Sequence, residues 1–211
     1  MKNLLTLITV LVVVGFASAQ TKFEKAILKG KEMLSEADSA KAYQPVINYF
    51  ERIASKETGE WLPLYYQAQI LAITATSNPN VDEKEVTLNS ALELITQAKK
   101  IDKNAELLAL EGFVQMIRLT VDPATRGQTL SPTIFGLYNE ALKLDAKNPR
   151  ALLFLGQMQY GTAQFFGSGF EEACKNVKMA YDIFEEQPGE PTILPTWGKG
   201  SAQAALDNCN Q

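Results

Sequence analysis

The sequence predicts an all-α protein: a solenoid of about four stacked helical hairpins, followed by a C-terminal capping helix. Apolar residues recur at intervals of three and four through most of the chain, which is the spacing of one face of a helix. No segment alternates apolar and polar residues for long enough to indicate a strand. Pairs of helical segments recur with a period of about 34 residues, which is typical of helical-hairpin repeats. An ordinary helical bundle is the alternative.

The first 19 residues are predicted to be a signal peptide that is removed on export. Lys2 provides the positive start, residues 4–16 are mostly apolar, and residues 17–19 (Ala-Ser-Ala) supply the small side chains of a cleavage site. The apolar run is shorter than the roughly 20 residues of a membrane-spanning helix, although a short membrane anchor is the alternative. Cleavage after Ala19 would leave a periplasmic or secreted protein with no transmembrane segment.

Nine helical segments are predicted in order along the mature chain. They cover residues 23–34, 46–54, 61–73, 86–101, 105–119, 131–144, 149–159, 170–185 and 201–209. Ser131 as N-cap and Pro132 as first helical residue predict the start of the sixth segment. We therefore assign residues 20–186 to the repeats and 187–211 to a Pro- and Gly-rich linker and the capping helix. Trp197 is expected to anchor that helix by burying its ring.

Small residues mark the places where the two helices of a hairpin are expected to cross. The sets are Gly30 with Ala42, Ala68 with Ala91 and Ala98, Gly112 with Ala141, and Gly156 with Ala173 and Ala180. This pattern resembles the tetratricopeptide repeat, most closely where residues 141–145 (ALKLD) precede residues 148–156 (NPRALLFLG). The resemblance implies stacked helical hairpins over residues 22–186.

The second half also resembles a group of exported tetratricopeptide-like proteins of Gram-negative bacteria. The likeness lies in residues 122–128 (DPATRGQ), residues 165–169 (FFGSG) with Cys174, and residues 195–198 (PTWG) with Cys209. It implies the fold and export, and it brings no activity with it.

The composition indicates neither a nucleic-acid partner, nor a metal or cofactor site, nor an enzyme. The net charge is −4, and charges of both signs alternate along the chain instead of forming a basic patch. The chain has no histidine, which is the commonest general base and transition-metal ligand. The carboxylate pairs at 171–172 and 185–186 are helix neighbours, so they point apart. No calcium-loop spacing occurs.

The two cysteines, Cys174 and Cys209, are predicted to form a disulfide. An exported chain meets an oxidising compartment, where an even number of cysteines favours pairing. The bond would fasten the capping helix to the last repeat. Two buried free thiols are the alternative.

One candidate binding surface is an edge of enlarged loops, predicted inside the second, third and fourth hairpins. The predicted contact residues are Asp122, Arg126, Gln128, Phe165 and Phe166. A guanidinium beside aromatic rings would suit a carboxylate-bearing peptide or a glycan. Alternatively, Asp122 pairs with Arg126 and the phenylalanines plug the solenoid.

The tetratricopeptide resemblance implies a second candidate surface, the concave face lined by the first helix of each hairpin. The matching positions are Tyr65, Gln69, Phe113, Met116, Gln157 and Tyr160. Aromatic and amide side chains together suit an extended peptide, although Phe113 and Met116 could equally pack between repeats.

The function that the sequence favours is a periplasmic helical-repeat scaffold that binds a protein or peptide partner, within a cell-envelope assembly. A binder of a small molecule or glycan at the loop edge is one alternative. A hydrolase with an unrecognised site is another.

Overall fold

The computed structural model describes residues 21–187, 189 and 191–210, and all regular structure in these residues is helical. The described helices are α1 (Lys22–Glu36), α2 (Ala40–Ala54), α3 (Leu62–Ser77), α4 (Val81–Ile101), α5 (Ala105–Val121), α6 (Pro123–Leu144), α7 (Pro149–Phe166), α8 (Glu171–Glu186) and α9 (Lys199–Cys209). The all-α prediction is confirmed. The predicted signal peptide and its cleavage after Ala19 lie outside the described residues. None of the described helices is both long and apolar enough to cross a membrane.

The first eight helices form four consecutive hairpins, α1–α2, α3–α4, α5–α6 and α7–α8. Each hairpin has a connection of one to four residues, which makes its two helices antiparallel neighbours. Helix α5 also contacts α3 and α7 directly, so these three helices form an inner layer. This arrangement of four hairpins is the helical-repeat architecture that the sequence predicts.

Side-chain caps fix where many of these helices begin. Thr21 and Glu24 form a capping box at α1, and Asn80, Asn104 and Asn148 each accept a hydrogen bond from a backbone N–H in the first turn of α4, α5 and α7. Such caps satisfy backbone donors that have no partner inside the helix. They therefore fix the first residues of these helices.

Glycines lie where the helices of three hairpins cross most closely. A Cβ on Gly30 would clash with the Phe50 ring, and a Cβ on Gly112 would clash with the Tyr138 ring. A Cβ on Gly156 would lie 2.8 Å from the carbonyl oxygen of Ala173. The glycines therefore mark crossings, as predicted. The first two receive an aromatic ring instead of the small residues Ala42 and Ala141 with which the sequence pattern paired them.

The prediction of enlarged loops inside the hairpins is wrong, because the extra residues lengthen helices instead. Helix α6 begins at Pro123, where Asp122 accepts a hydrogen bond from the Thr125 backbone N–H at 3.2 Å. Ser131 is therefore not an N-cap, and Pro132 lies inside α6. An Asp cap followed by proline at the first helical position starts the helix earlier than the predicted Ser-Pro pair. The connections in the second and fourth hairpins are residues 78–80 and 167–170.

The chain after α8 folds back over the repeats before it enters α9. Helix α9 packs against α8, and Cys174 of α8 is bonded to Cys209 of α9. The predicted disulfide is therefore present, and it fastens the last helix to the last hairpin. We call residues 191–198, which connect to α9, the strap.

Candidate functional site

The strap lies in the groove formed by the inward-facing surfaces of α1, α3, α5 and α7. Side chains on these helices donate hydrogen bonds to its backbone carbonyls. Lys31 Nζ reaches the oxygens of Thr192 at 2.5 Å and of Leu194 at 2.7 Å. The Tyr66 hydroxyl donates to the carbonyl oxygen of Ile193 at 2.6 Å. The groove is therefore filled by the protein's own chain.

Trp197 is the aromatic anchor of the strap, two residues before α9, the helix that the sequence expected it to anchor; its side chain is half-buried. Its ring centroid lies 5.6 Å from that of Phe113 and 5.7 Å from that of Phe154. Its indole N–H donates a hydrogen bond of 2.8 Å to the Tyr65 hydroxyl. The side chain thus joins α3, α5 and α7 at one point.

A buried ion pair lies beside this anchor. Arg150 donates to both carboxylate oxygens of Glu106, at 2.6 and 2.5 Å, and to the Trp197 carbonyl oxygen at 2.9 Å. Burial works to lower the pKa of Arg150, but the hydrogen bonds and charge of Glu106 outweigh it, and the pKa is raised. The guanidinium therefore stays charged and holds the end of the strap.

Burial also changes the pKa values of other groups beneath the strap. Desolvation raises the pKa of Tyr65 and of Tyr66 well above the ordinary tyrosine range. Desolvation, aided by the charge of Arg150, lowers the pKa of Lys31 to about 8. The strap side of the groove is thus a low-dielectric environment.

The six residues predicted for the concave face lie in different places. Tyr65 and Phe113 contact Trp197 and are covered by the strap. Gln69 is buried in α3, and its Oε1 has no hydrogen-bond partner among the described residues. Met116 packs in the core, with its sulfur 4.0 Å from the Tyr138 hydroxyl. Only the last two of the six, Gln157 and Tyr160, line an open cavity.

That cavity lies between α7, α8 and α9 and has a volume of about 390 Å³. Its lining residues are Gln157, Tyr160, Val177, Ser201, Ala204, Ala205, Asn208 and Cys209. The α9 side is built from small side chains, and the polar groups are uncharged amides and hydroxyls. We call this the α7–α9 cavity.

Aromatic side chains gather at the α7 end next to this cavity. Tyr160 stacks on Phe170 with ring centroids 4.5 Å apart. Phe165 and Phe166 meet edge to face at 5.0 Å, and they are 80% and 74% exposed. The suggestion that these two phenylalanines plug the solenoid is therefore wrong, since both rings face solvent at the end of α7.

The other residues predicted for the loop edge belong to the first turns of α6. Asp122 caps that helix, and its hydrogen bonds with Thr125 lower its pKa. Arg126 forms an ion pair with Glu85 and donates to the Arg118 carbonyl oxygen at 2.9 Å. Arg126 therefore pairs with Glu85 on α4 and not, as suggested, with Asp122. Gln128 is exposed.

The described residues contain no group of three or more Cys, Asp or Glu side chains placed to hold a metal ion. No family model matches the chain, and no curated protein matches its sequence. Among solved structures, the fold is similar to that of the HusA haemophore from Porphyromonas gingivalis. The similarity has a TM-score of 0.78 and 25% sequence identity, and it covers 88% of this chain and 91% of the haemophore chain. The structure and the comparison therefore both show an all-α, repeat-like fold.

Sequence reasoning missed most of the residues that hold the strap. These residues are Lys31, Tyr66 and Arg150, which donate hydrogen bonds to strap carbonyl oxygens, and Glu106, which pairs with Arg150. One signal was available for Arg150, because it stands at the start of the apolar segment 149–156. A charged residue is rarely fully buried unless it is paired.

Proposed function

We propose that this chain is an exported binding protein for a flat, largely apolar ligand of the haem class, held in the α7–α9 cavity. The similarity to a haemophore over nearly the whole chain is the observation that carries the proposal. A haemophore is a haem-capturing protein, not an enzyme. The ionisable groups whose pKa values burial shifts most clearly are Lys31, Tyr65, Tyr66 and Tyr138. They lie beneath the strap or in the core instead of in an open cleft, which gives no support to a hydrolase.

The chemistry of the α7–α9 cavity fits such a ligand. Its volume of about 390 Å³ falls within the range of small-molecule sites, about 300–1,000 Å³. The stacked rings of Tyr160 and Phe170 offer an aromatic surface against which a planar ligand can pack. Alanines on α9 leave room on the opposite side. The amides of Gln157 and Asn208 can donate hydrogen bonds to carboxylate groups at the ligand's edge.

The absence of histidine from the sequence shapes this proposal. The imidazole that commonly holds haem iron is not available. Apart from the disulfide-bonded Cys209, Tyr160 is the one lining side chain of a type that ligates haem iron. We assign recognition to the porphyrin ring and its carboxylates, with Tyr160 acting through its ring. An iron-free porphyrin should then bind about as well as haem.

Titration of the protein from residue 20 onward with haemin, and separately with protoporphyrin IX, tests this function. We expect saturable binding of both, followed by the absorbance of the porphyrin band. Tyr160→Ala should weaken both affinities about tenfold, because it removes one ring of the aromatic stack. Leu144→Ala is the matched control, since Leu144 is an apolar side chain 55% exposed at the end of α6. Equal affinities for the two variants, or no saturable binding, would contradict the proposal.

A second candidate is the protein partner that the sequence favoured, and the exposed Phe165 and Phe166 support it. Two adjacent rings that are 80% and 74% exposed suit the buried centre of an interface. We expect Phe165→Ser with Phe166→Ser to abolish cross-links to such a partner and to leave porphyrin affinity unchanged. Leu144→Ser serves as control, and cross-links that survive the double substitution count against this surface. Assignment of the hairpins to the tetratricopeptide type remains part of this second proposal.

A further inference from the structure

The strap presents alternate side chains to the groove. Ile193 and Trp197 pack against the core, and Pro195 between them is buried. Leu194 is 52% exposed and Thr196 is exposed. Residues 193, 195 and 197 therefore face inward while 194 and 196 face solvent. This is the way an extended peptide shows every second side chain to a receptor.

The groove recognises the strap mainly through backbone atoms. Lys31, Tyr66 and Arg150 donate to the carbonyl oxygens of residues 192, 193, 194 and 197, from three different helices. These donors contact no strap side chain through those bonds, so any polypeptide that follows the same path can satisfy them. Residues 191–198 carry no charged side chain. The selective contacts are thus the apolar ones made by Ile193, Pro195 and Trp197.

The groove contains hydrogen-bond donors and aromatic rings that the strap covers. Without the strap, the Lys31 ammonium and the Tyr66 hydroxyl would lose their carbonyl acceptors, and the Arg150 guanidinium would lose one of its three. Water would have to replace these carbonyl acceptors beside apolar side chains. The ring faces of Phe113 and Phe154 would also be uncovered. The surface is therefore built to hold a polypeptide backbone.

Release of the strap would require no unfolding of the helices on either side of it. It contains no helical turn, and it joins α8 to α9. Helix α9 is held on α8 by the Cys174–Cys209 disulfide as well as by packing. The two helices that flank the strap can therefore stay in place while residues 191–197 are exchanged for another chain.

We propose that the groove binds an extended segment of another polypeptide, with the pattern apolar–x–Pro–x–aromatic and no charge, in place of the strap. The tethered strap competes with that segment. The apparent affinity is therefore reduced by the fraction of molecules in which the groove is open. This groove is separate from the α7–α9 cavity, so peptide binding and porphyrin binding succeed or fail independently.

A fluorescein-labelled synthetic peptide of residues 191–198 is the probe, and the full mature protein is the receptor. Trp197→Ala removes the anchor from the strap and leaves the groove intact. We expect this variant to bind the peptide at least tenfold more tightly than the unsubstituted protein, measured by fluorescence anisotropy. Thr196→Ala is the matched control, because its side chain faces solvent, and it should bind like the unsubstituted protein. A peptide carrying Ala at the position of Trp197 should bind at least tenfold more weakly.

A second variant keeps the test decisive if Trp197→Ala fails to fold. Ile193→Ala removes a smaller anchor, and hydrogen exchange of the strap amides reports whether the strap is released. Faster exchange with tighter peptide binding supports the proposal. A variant with faster strap exchange, native helical content and no peptide binding overturns it. Tyr160→Ala should leave peptide affinity unchanged, which separates this result from that of the porphyrin titration.

Discussion

The indole N–H of Trp197 donates a hydrogen bond to the Tyr65 hydroxyl, and the two residues are 132 positions apart in the sequence. This bond ties the C-terminal segment to α3, near the middle of the fold. The same hydroxyl lies 3.4 Å from the Glu106 carboxylate. The strap, the inner helices and the buried ion pair are therefore parts of one connected network.

A double-mutant cycle should detect this bond as a coupling energy. Trp197→Phe removes the donor and Tyr65→Phe removes the acceptor, and both substitutions keep an aromatic ring. We expect each to lower the free energy of unfolding by about 1–2 kcal/mol. The double variant should lose less than the sum, by about 1 kcal/mol. Urea denaturation of the four proteins measures this, and strict additivity would show that the bond contributes nothing.

Two glycines of α7 should respond oppositely to the same substitution. A Cβ on Gly156 would lie 2.8 Å from both the Ala173 carbonyl oxygen and a Val177 methyl group, whereas a Cβ on Gly161 meets nothing within 4 Å. Gly156→Ala should therefore destabilise the protein by about 1–3 kcal/mol. Gly161→Ala should stabilise it by about 0.5–1 kcal/mol, because alanine favours a helix over glycine. Thermal unfolding of the two variants measures this difference. Equal shifts in melting temperature would mean that α7 and α8 do not cross closely.

Loss of the disulfide should cost a large part of the stability. Cys174→Ser with Cys209→Ser opens a loop with a sequence separation of 35 residues. In the chain-entropy model, this lowers the free energy of unfolding by about 3–4 kcal/mol. Denaturant titration of the double variant against the oxidised protein measures the loss. Thiol counting on the denatured, non-reduced protein should find no free thiol, and two thiols per chain would disprove the bond.

Stability should rise with pH above the lowered pKa of Lys31. Below a pH of about 8 the ammonium is charged in both the folded and the unfolded chain. Between about 8 and the ordinary value of 10.5, the unfolded chain holds a proton that the folded chain has released, so the free energy of unfolding increases with pH. Deprotonation of tyrosines in the unfolded chain opposes this above a pH of about 10.

Lys31→Arg is the control for this prediction, because arginine stays protonated throughout the range. Urea denaturation at several pH values from about 8 to 9.5 should therefore show a smaller positive slope in the variant than in the unsubstituted protein. Identical slopes would mean that the Lys31 pKa is not lowered by burial.

Helical periodicity was enough to predict the fold class, because every hairpin buries one apolar stripe against its neighbours. The glycine crossings at Gly30, Gly112 and Gly156 were also readable, since a missing side chain in a helix is a local signal. Helix ends were harder to predict from the sequence. Two possible N-cap sequences occur around α6, and the helix begins at Asp122-Pro123 instead of at Ser131-Pro132. The segment predicted to be a binding loop in the third hairpin is therefore the first part of α6.

The candidate site was harder to predict than the fold because its contacts join distant parts of the chain. Gln157 and Tyr160 were selected for a concave face and instead lie beside α9. The path of the strap depends on hydrogen bonds from Lys31 and Tyr66, which are 161 and 127 positions away from their partners. No periodic pattern encodes such contacts.

The bond between Cys174 and Cys209 makes the chain from α8 to α9 a covalent ring that includes the whole strap. A protease that cuts once inside this ring would release no fragment, because both new ends remain attached through the sulfurs. The cut protein would differ from the intact one only by the mass of one added water until a reductant is present. A single cleavage within the strap therefore cannot detach α9 from the rest of the protein.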